Sequence, residues 1–327
     1  MSRALVRNTW LRPRPYLLYL KPTARCDLRC KICQRWQEPA RTSEELSTAE
    51  LRAVLALFRK LGAAIMVAWG GEPLLRQDMG DIFQAAKELG YRTSMCTNGR
   101  QLAQRVDHVM PWLDTLLCSL DGYGQTHDRA RGRDGLFDQV VAGLKLARRH
   151  TDTRIKIWAA LNRQNLADIE PLAELARELG IWIEYFPIAR VPGYNDALVL
   201  ETSELRDAFE RVLALQRAGY PVWNRRDVLV KMRDDVPFRC NFGRIALQVD
   251  HRGWVHSCED PDGSPLHTWG RWDVVDWPEL FRSPRFAAAQ DVLSRCGKCR
   301  LPCVVELGDS LAAAYAGMFW QSLTRSD

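Results

Sequence analysis

No apolar run in this chain of 327 residues approaches the roughly 20 residues that a membrane-spanning helix needs. The longest, Ala63 to Trp69 and Leu311 to Trp320, stop well short. Arg3, Arg7, Arg12 and Arg14 have no apolar stretch beside them, so a secretory signal is not expected and the chain reads as cytoplasmic. Lysine is scarce, 8 of 46 basic residues, and the formal charge is a mild +6. Acids are interleaved with the bases, as Asp107 and Asp114 are with Arg100 and Arg105, so no nucleic-acid surface is expected. Internal repeats and low-complexity tracts are absent, and no histidine precedes His108.

Cysteine, by contrast, is plentiful and clustered. Of ten, three stand together at Cys26, Cys30 and Cys33, and five at Cys240, Cys258, Cys296, Cys299 and Cys303. In a reducing compartment, clustered thiols are more often metal ligands than disulfides. Cys96 and Cys118 stand alone in apolar segments and read as small buried hydrophobes.

Between the two groups the chain alternates strands and helices. Strands are expected at Tyr16–Leu20, Ala64–Ala68, Tyr91–Cys96, Asp114–Ser119, Arg154–Ala160 and Ile181–Phe186. Helices fall between several of them, and Ser47 with Glu50 has the spacing of a capping box. Six strands apolar on both faces predict an α/β fold with a parallel sheet covered by helices, a partial (β/α)6 TIM-like barrel. Chemistry in such folds collects at the C-terminal strand ends, and the first cysteine group follows the first strand directly. From Arg239 the pattern changes to short strands and turns rich in Gly, Pro and Asp, which suggests a small metal-stapled module. The organisation expected is an extension over 1–14, a barrel over 15–190, a linker and helix over 191–236, and the cysteine module over 237–327.

Three thiols in one loop can hold three irons of a [4Fe-4S] cubane and leave the fourth iron open. Zinc is the alternative, but a structural zinc site is closed by four ligands, and no fourth is near in sequence. Cys26-x3-Cys30-x2-Cys33 resembles the defining motif of the radical S-adenosylmethionine (radical SAM) family, a resemblance that extends over roughly residues 15 to 190. Gly70-Gly71-Glu72-Pro73 is similar to the family's GGEP segment. The resemblance implies S-adenosylmethionine bound there, with Glu72 facing its ammonium group. Thr97-Asn98-Gly99, Ser119-Leu120-Asp121-Gly122 and the segment from His127 to Arg131-Gly132 resemble segments lining the cofactor pocket. Asn98, Ser119 and Arg131 are therefore candidate cofactor ligands, with Asn162 as a ribose candidate and Tyr185 and Phe186 as adenine neighbours. Ile32 departs from the family, which usually places an aromatic residue there. The chemistry implied is one-electron cleavage of the sulfonium and hydrogen abstraction from a substrate, with electrons from an external donor such as flavodoxin or ferredoxin.

Cys240 is followed by twelve residues, Gly253, four residues and Cys258, and then by Cys296-x2-Cys299 and Cys303. This looks like a SPASM or twitch auxiliary-cluster domain. It implies a second [4Fe-4S] cluster on Cys240, Cys258, Cys296 and Cys299, with Cys303 as a substitute ligand or a hydrogen-atom donor. A zinc ribbon is the alternative. His251, His256 and His267 read as structural.

The family's range leaves several activities open: a radical SAM oxidoreductase, an epimerase using a cysteine donor, or a lipid-modifying enzyme of the hopanoid type. A stapled binding or electron-transfer protein is the non-enzyme reading. Only 25 residues precede Cys26, which favours a small-molecule substrate or a peptide brought by a separate protein. Val304, Leu307, Leu311, Tyr315 and Met318 share a helical face that reads as core packing or as a contact with a membrane or protein partner. Arg190, Tyr194 and Arg244 are candidates for lining the space between the two halves.

Overall fold

The computed structural model describes residues 15–306. Six strands run in parallel in sequence order: β1 (Leu17–Leu20), β2 (Ile65–Ala68), β3 (Arg92–Thr97), β4 (Thr115–Ser119), β5 (Arg154–Leu161) and β6 (Trp182–Pro187). The expected strands are all present, with boundaries shifted by one residue at most. Ser47 and Glu50 form the capping box at the start of the helix Thr48–Leu61, each side chain accepting from the other's backbone N–H.

Beyond β1 the sheet continues rather than ends. β7 (Ala246–Val249) pairs in parallel with the other edge of β1, Leu17 opposite Ala246 through Leu20 opposite Val249. β8 (Trp254–Glu259) and β9 (Pro265–Arg271) then add on antiparallel. The nine strands make one sheet in the order β6-β5-β4-β3-β2-β1-β7-β8-β9. The cysteine-rich segment therefore shares its hydrogen bonds with the barrel. It also shares the core: Leu247, Val249, Val255, Trp269 and Trp277 join the same apolar cluster as Leu18, Leu51 and Phe83.

Strand alternation separates two faces. On β1, Leu18 and Leu20 are wholly buried in the main core with Leu55 and Phe58 of the following helix, while Tyr19 between them lines a cavity. Cys96, Ser119, Trp158, Phe186 and Gln248, from β3 to β7, line that same cavity. One cavity touched by so many strands means that the sheet curves around it, as a partial barrel does.

Irregular connections depart from sequence expectation where side chains compete with the helix. The helix after β5 does not follow the strand directly but starts at Ile169. Asn165 instead accepts the Asn162 N–H at 2.8 Å and donates to the Asp121 and Ala160 carbonyls at 2.5 and 2.9 Å, which holds a turn ahead of the helix. The helices Leu102–Val109, Arg226–Arg233 and Pro284–Ser294 and the strand β9 were not expected from the sequence. Of the apolar stripe near the C-terminus, Val304 is buried in a small cluster with Leu17, Phe242 and Ile245. Leu307, Leu311, Tyr315 and Met318 lie outside the described residues.

Candidate active site

The loop after β1 carries Cys26, Cys30 and Cys33, and all three line the cavity. Close backbone approach places this loop against the end of β2. The Gly71 N–H donates to the Thr23 carbonyl and the Glu72 N–H to the Arg25 carbonyl, at 3.2 and 2.8 Å. A Cβ on Gly71 would stand 2.1 Å from the Arg25 oxygen, and Gly70 has φ +124°. The two glycines thus serve the contact between loop and strand as well as lining the cavity.

Glu72 is completely buried and is not among the cavity-lining residues. Its carboxylate accepts from Thr97 Oγ1 at 2.7 Å and from the N–H groups of Leu74 and Asn98 at 3.0 and 2.7 Å. The carboxylate ties the end of β2 to the end of β3. Burial outweighs these three hydrogen bonds and raises its pKa to about 7. Pro73 is likewise buried off the cavity, opening a short helical turn.

Asn98 does line the cavity, and its Nδ2 donates to Asp27 Oδ1 at 2.8 Å. Arg100 holds the other Asp27 oxygen at 2.9 Å, so Asp27 latches the cysteine loop to β3. Ser119 and Arg131 line the cavity too. Arg131 donates to the buried Asp121 carboxylate at 2.6 Å and brings Nη1 to 3.9 Å from Cys30 Sγ.

Two expected ligands point elsewhere. Tyr185 shares the outward register of Ile183, is wholly buried, and donates its hydroxyl to the Ile169 carbonyl at 2.6 Å. Its neighbour Phe186 has the opposite parity and lines the cavity, tilted against Trp158 at 4.7 Å between ring centroids. Asn162 is 1% exposed and spends its amide on the turn, donating to the Ala160 carbonyl and accepting from Gln164. Arg190 is exposed and paired with Asp196, and Arg244 is exposed, so neither lines the cavity. Tyr194 acts on the loop from behind, its hydroxyl 2.9 and 3.2 Å from the Cys30 and Cys33 carbonyls. Cys118 is buried as expected, whereas Cys96 lines the cavity.

The second cysteine group comes to the same place. Cys258 and Cys299 line the cavity, Cys240 is buried beside Phe242, and Cys240, Cys258, Cys296 and Cys299 stand close enough for ionised thiols to repel one another. The side chain of Cys303 lies outside what the structure describes. The cavity, about 320 Å³, thus touches both thiol groups.

The donor sets suit thiolate-ligated clusters. Burial pushes the thiols of Cys26 and Cys299 up to about 12 and that of Cys30 to about 11, and it raises Cys240 and Cys258 as well. Such thiols ionise near neutral pH when a cationic metal compensates the charge. Among the described residues, no three His, Cys, Asp or Glu side chains close to the spacing of ligands on one metal ion. A cubane takes each thiolate on a different iron and asks for wider spacing.

A parallel partial barrel with three thiols over its strand ends, opening onto an apolar cavity, is the arrangement of an α/β enzyme whose site lies at the C-terminal ends of its strands. The Radical SAM superfamily profile matches residues 20–176, and the chain belongs to that superfamily of enzymes, whose cofactors are S-adenosylmethionine and a [4Fe-4S] cluster. It is 31% identical over 204 residues to an AdoMet-dependent heme synthase of Methanosarcina barkeri, covering 61% of this chain and 57% of that protein. It is 28% identical over 171 residues to a pre-heme d1 synthase of Dinoroseobacter shibae, covering 52% of this chain and 42% of that one. The chain therefore spans about half the length of these curated relatives. Among solved structures, Streptococcus suis SuiB bound to S-adenosylmethionine superposes with a TM-score of 0.70 at 18% identity, covering 91% of this chain and 76% of that one, a likeness of fold.

Proposed function

We propose that this chain is a radical SAM oxidoreductase with two [4Fe-4S] clusters, whose substrate sits between them. The carrying observation is that Cys26, Cys30 and Cys33 share one cavity with Cys258 and Cys299. In this reading Cys26, Cys30 and Cys33 hold the first cluster, and Gly70, Gly71, Asn98, Ser119 and Arg131 surround S-adenosylmethionine. Cys240, Cys258, Cys296 and Cys299 hold an auxiliary cluster in a SPASM- or twitch-like arrangement. When bound, the first cluster and S-adenosylmethionine would supply one-electron cleavage and hydrogen abstraction, and the auxiliary cluster would take up the electron left on the substrate.

The chain's own residues do the rest. Arg131 places a guanidinium beside Cys30, favouring its thiolate. Asp27 and Tyr194 fix the cysteine loop from two sides. Tyr19, Trp69, Trp158 and Phe186 give the cavity aromatic walls that exclude water. Such walls suit a flat, largely apolar small molecule, and the names of the curated relatives make porphyrins the first substrates to test.

The test is anaerobic reconstitution followed by iron and sulfide counts and by measurement of 5′-deoxyadenosine formed with dithionite. About eight irons per chain with turnover is expected. Alanine at Cys26, Cys30 or Cys33 abolishes cleavage, whereas Cys240→Ala loses about four irons and keeps part of it. Stoichiometric zinc without cleavage would refute the reading.

A further inference from the structure

A charge contact between the two cysteine regions joins residues 224 apart in sequence. Arg35, two residues after Cys33, donates through Nη1 to the carboxylate of Glu259, which directly follows Cys258. Arg35, Glu259, Cys33 and Cys258 all line the one cavity. The pair is nearly dry: the side chains are 16% and 4% exposed. The Arg35 guanidinium also lies over the Trp69 ring, 4.5 Å from its centroid, which shields one face from water.

Other charges nearby are already partnered. Lys21 lies 3.7 Å from Glu259 and pairs with Glu38, and Asp260 is held by Lys298 at 2.7 Å. Charges screened this little by water act on their neighbours over several ångströms. Arg35 is within electrostatic reach of the Cys33 thiolate, and Glu259 is joined to Cys258 by one peptide bond.

We propose that Arg35 and Glu259 are positioning residues whose opposed charges set the reduction potentials of both thiol-bound centres and balance one against the other. The proposal rests on the two-cluster reading above and adds a role for this pair within it. A positive charge beside a cluster favours the reduced, more negative state, and a carboxylate disfavours it. Removing Arg35 leaves Glu259 undercompensated next to both centres. Removing the Glu259 charge frees Arg35 to act alone.

The experiment is an EPR-monitored redox titration of the anaerobically reconstituted full chain, for wild type, Arg35→Gln, Glu259→Gln, the double variant and Arg35→Lys. Expected are more negative potentials in Arg35→Gln, most at the first centre, and more positive ones in Glu259→Gln, most at the auxiliary centre. The double variant returns towards wild type, and Arg35→Lys stays near it. Unchanged potentials, shifts of one sign in both single variants, or loss of cluster from all four variants would overturn the proposal, the last because it marks a purely structural strut. Iron counts separate this from the parent reading: wild-type protein that loads a single cluster defeats that reading, whereas two clusters with unmoved potentials defeat only the role of the pair.

Discussion

At the scale of single residues, Glu72 carries a charge problem that its hydrogen bonds do not solve. Three donors hold the carboxylate, yet burial lifts its pKa from the ordinary 4.5 to about 7. Between those values the unfolded chain has released the proton and the folded chain still holds it. Stability therefore falls as pH rises through that window and is flat above it, because the native state binds more protons there. The expected loss is about 3 kcal/mol across the window. Glu72→Gln has no proton to release and should remove that part of the slope. Urea unfolding of both proteins at pH 5 and pH 8 checks this, and equal changes in the two would refute it. The motif singles out Glu72 but says nothing of what holds its carboxylate. Its true partners, Thr97 and Asn98, lie 25 and 26 residues on, at the end of a neighbouring strand.

At the scale of elements, the junction of β2 with the cysteine loop is the place where packing decides chemistry. The methyl group of an alanine at position 71 would meet two carbonyl oxygens, those of Arg25 at 2.1 Å and Ala24 at 2.6 Å. Both belong to backbone, so no flexible side chain can yield. Gly71→Ala should displace the loop beginning at Cys26 and destabilise the fold by about 2 kcal/mol or more. The loss should be visible in denaturant midpoints and in poorer iron loading, while Gly219→Ala, which strains a backbone φ of +83° but whose Cβ meets nothing within 4 Å, costs stability and leaves iron loading intact. What was legible here follows from locality. The three thiols, the two glycines and the strand before them lie within short windows, where spacing and periodicity speak directly. Tyr185 and Phe186 show the limit: adjacent residues in a strand have opposite fates, and an apolar pair gives no sign of which one faces inward. The latches were illegible because their partners are remote, as Asp27 is from Asn98 and Tyr194 from Cys30.

At the scale of the whole molecule, the change of pattern near Arg239 was legible, but the sheet's continuity was not. Short strands among turns read as a separate stapled module, since a single sequence does not show that Ala246–Val249 will pair with Leu17–Leu20. That pairing covers an edge of β1 that would otherwise present unpaired N–H and C=O groups beside apolar side chains. It also brings Leu247, Val249 and Val255 into the main core. Iron binding at the second cysteine group cannot then be the sole support of this segment. Replacing Cys240, Cys258, Cys296 and Cys299 together by serine should leave a folded chain of unchanged elution volume with the first cluster still loadable. Cutting the chain after residue 236 should instead expose the β1 edge and give an aggregating fragment. Size-exclusion chromatography and circular dichroism of the two proteins decide the matter: a soluble, cooperatively folding 1–236 fragment would mean that the barrel completes itself without β7, against the topology of the shared sheet.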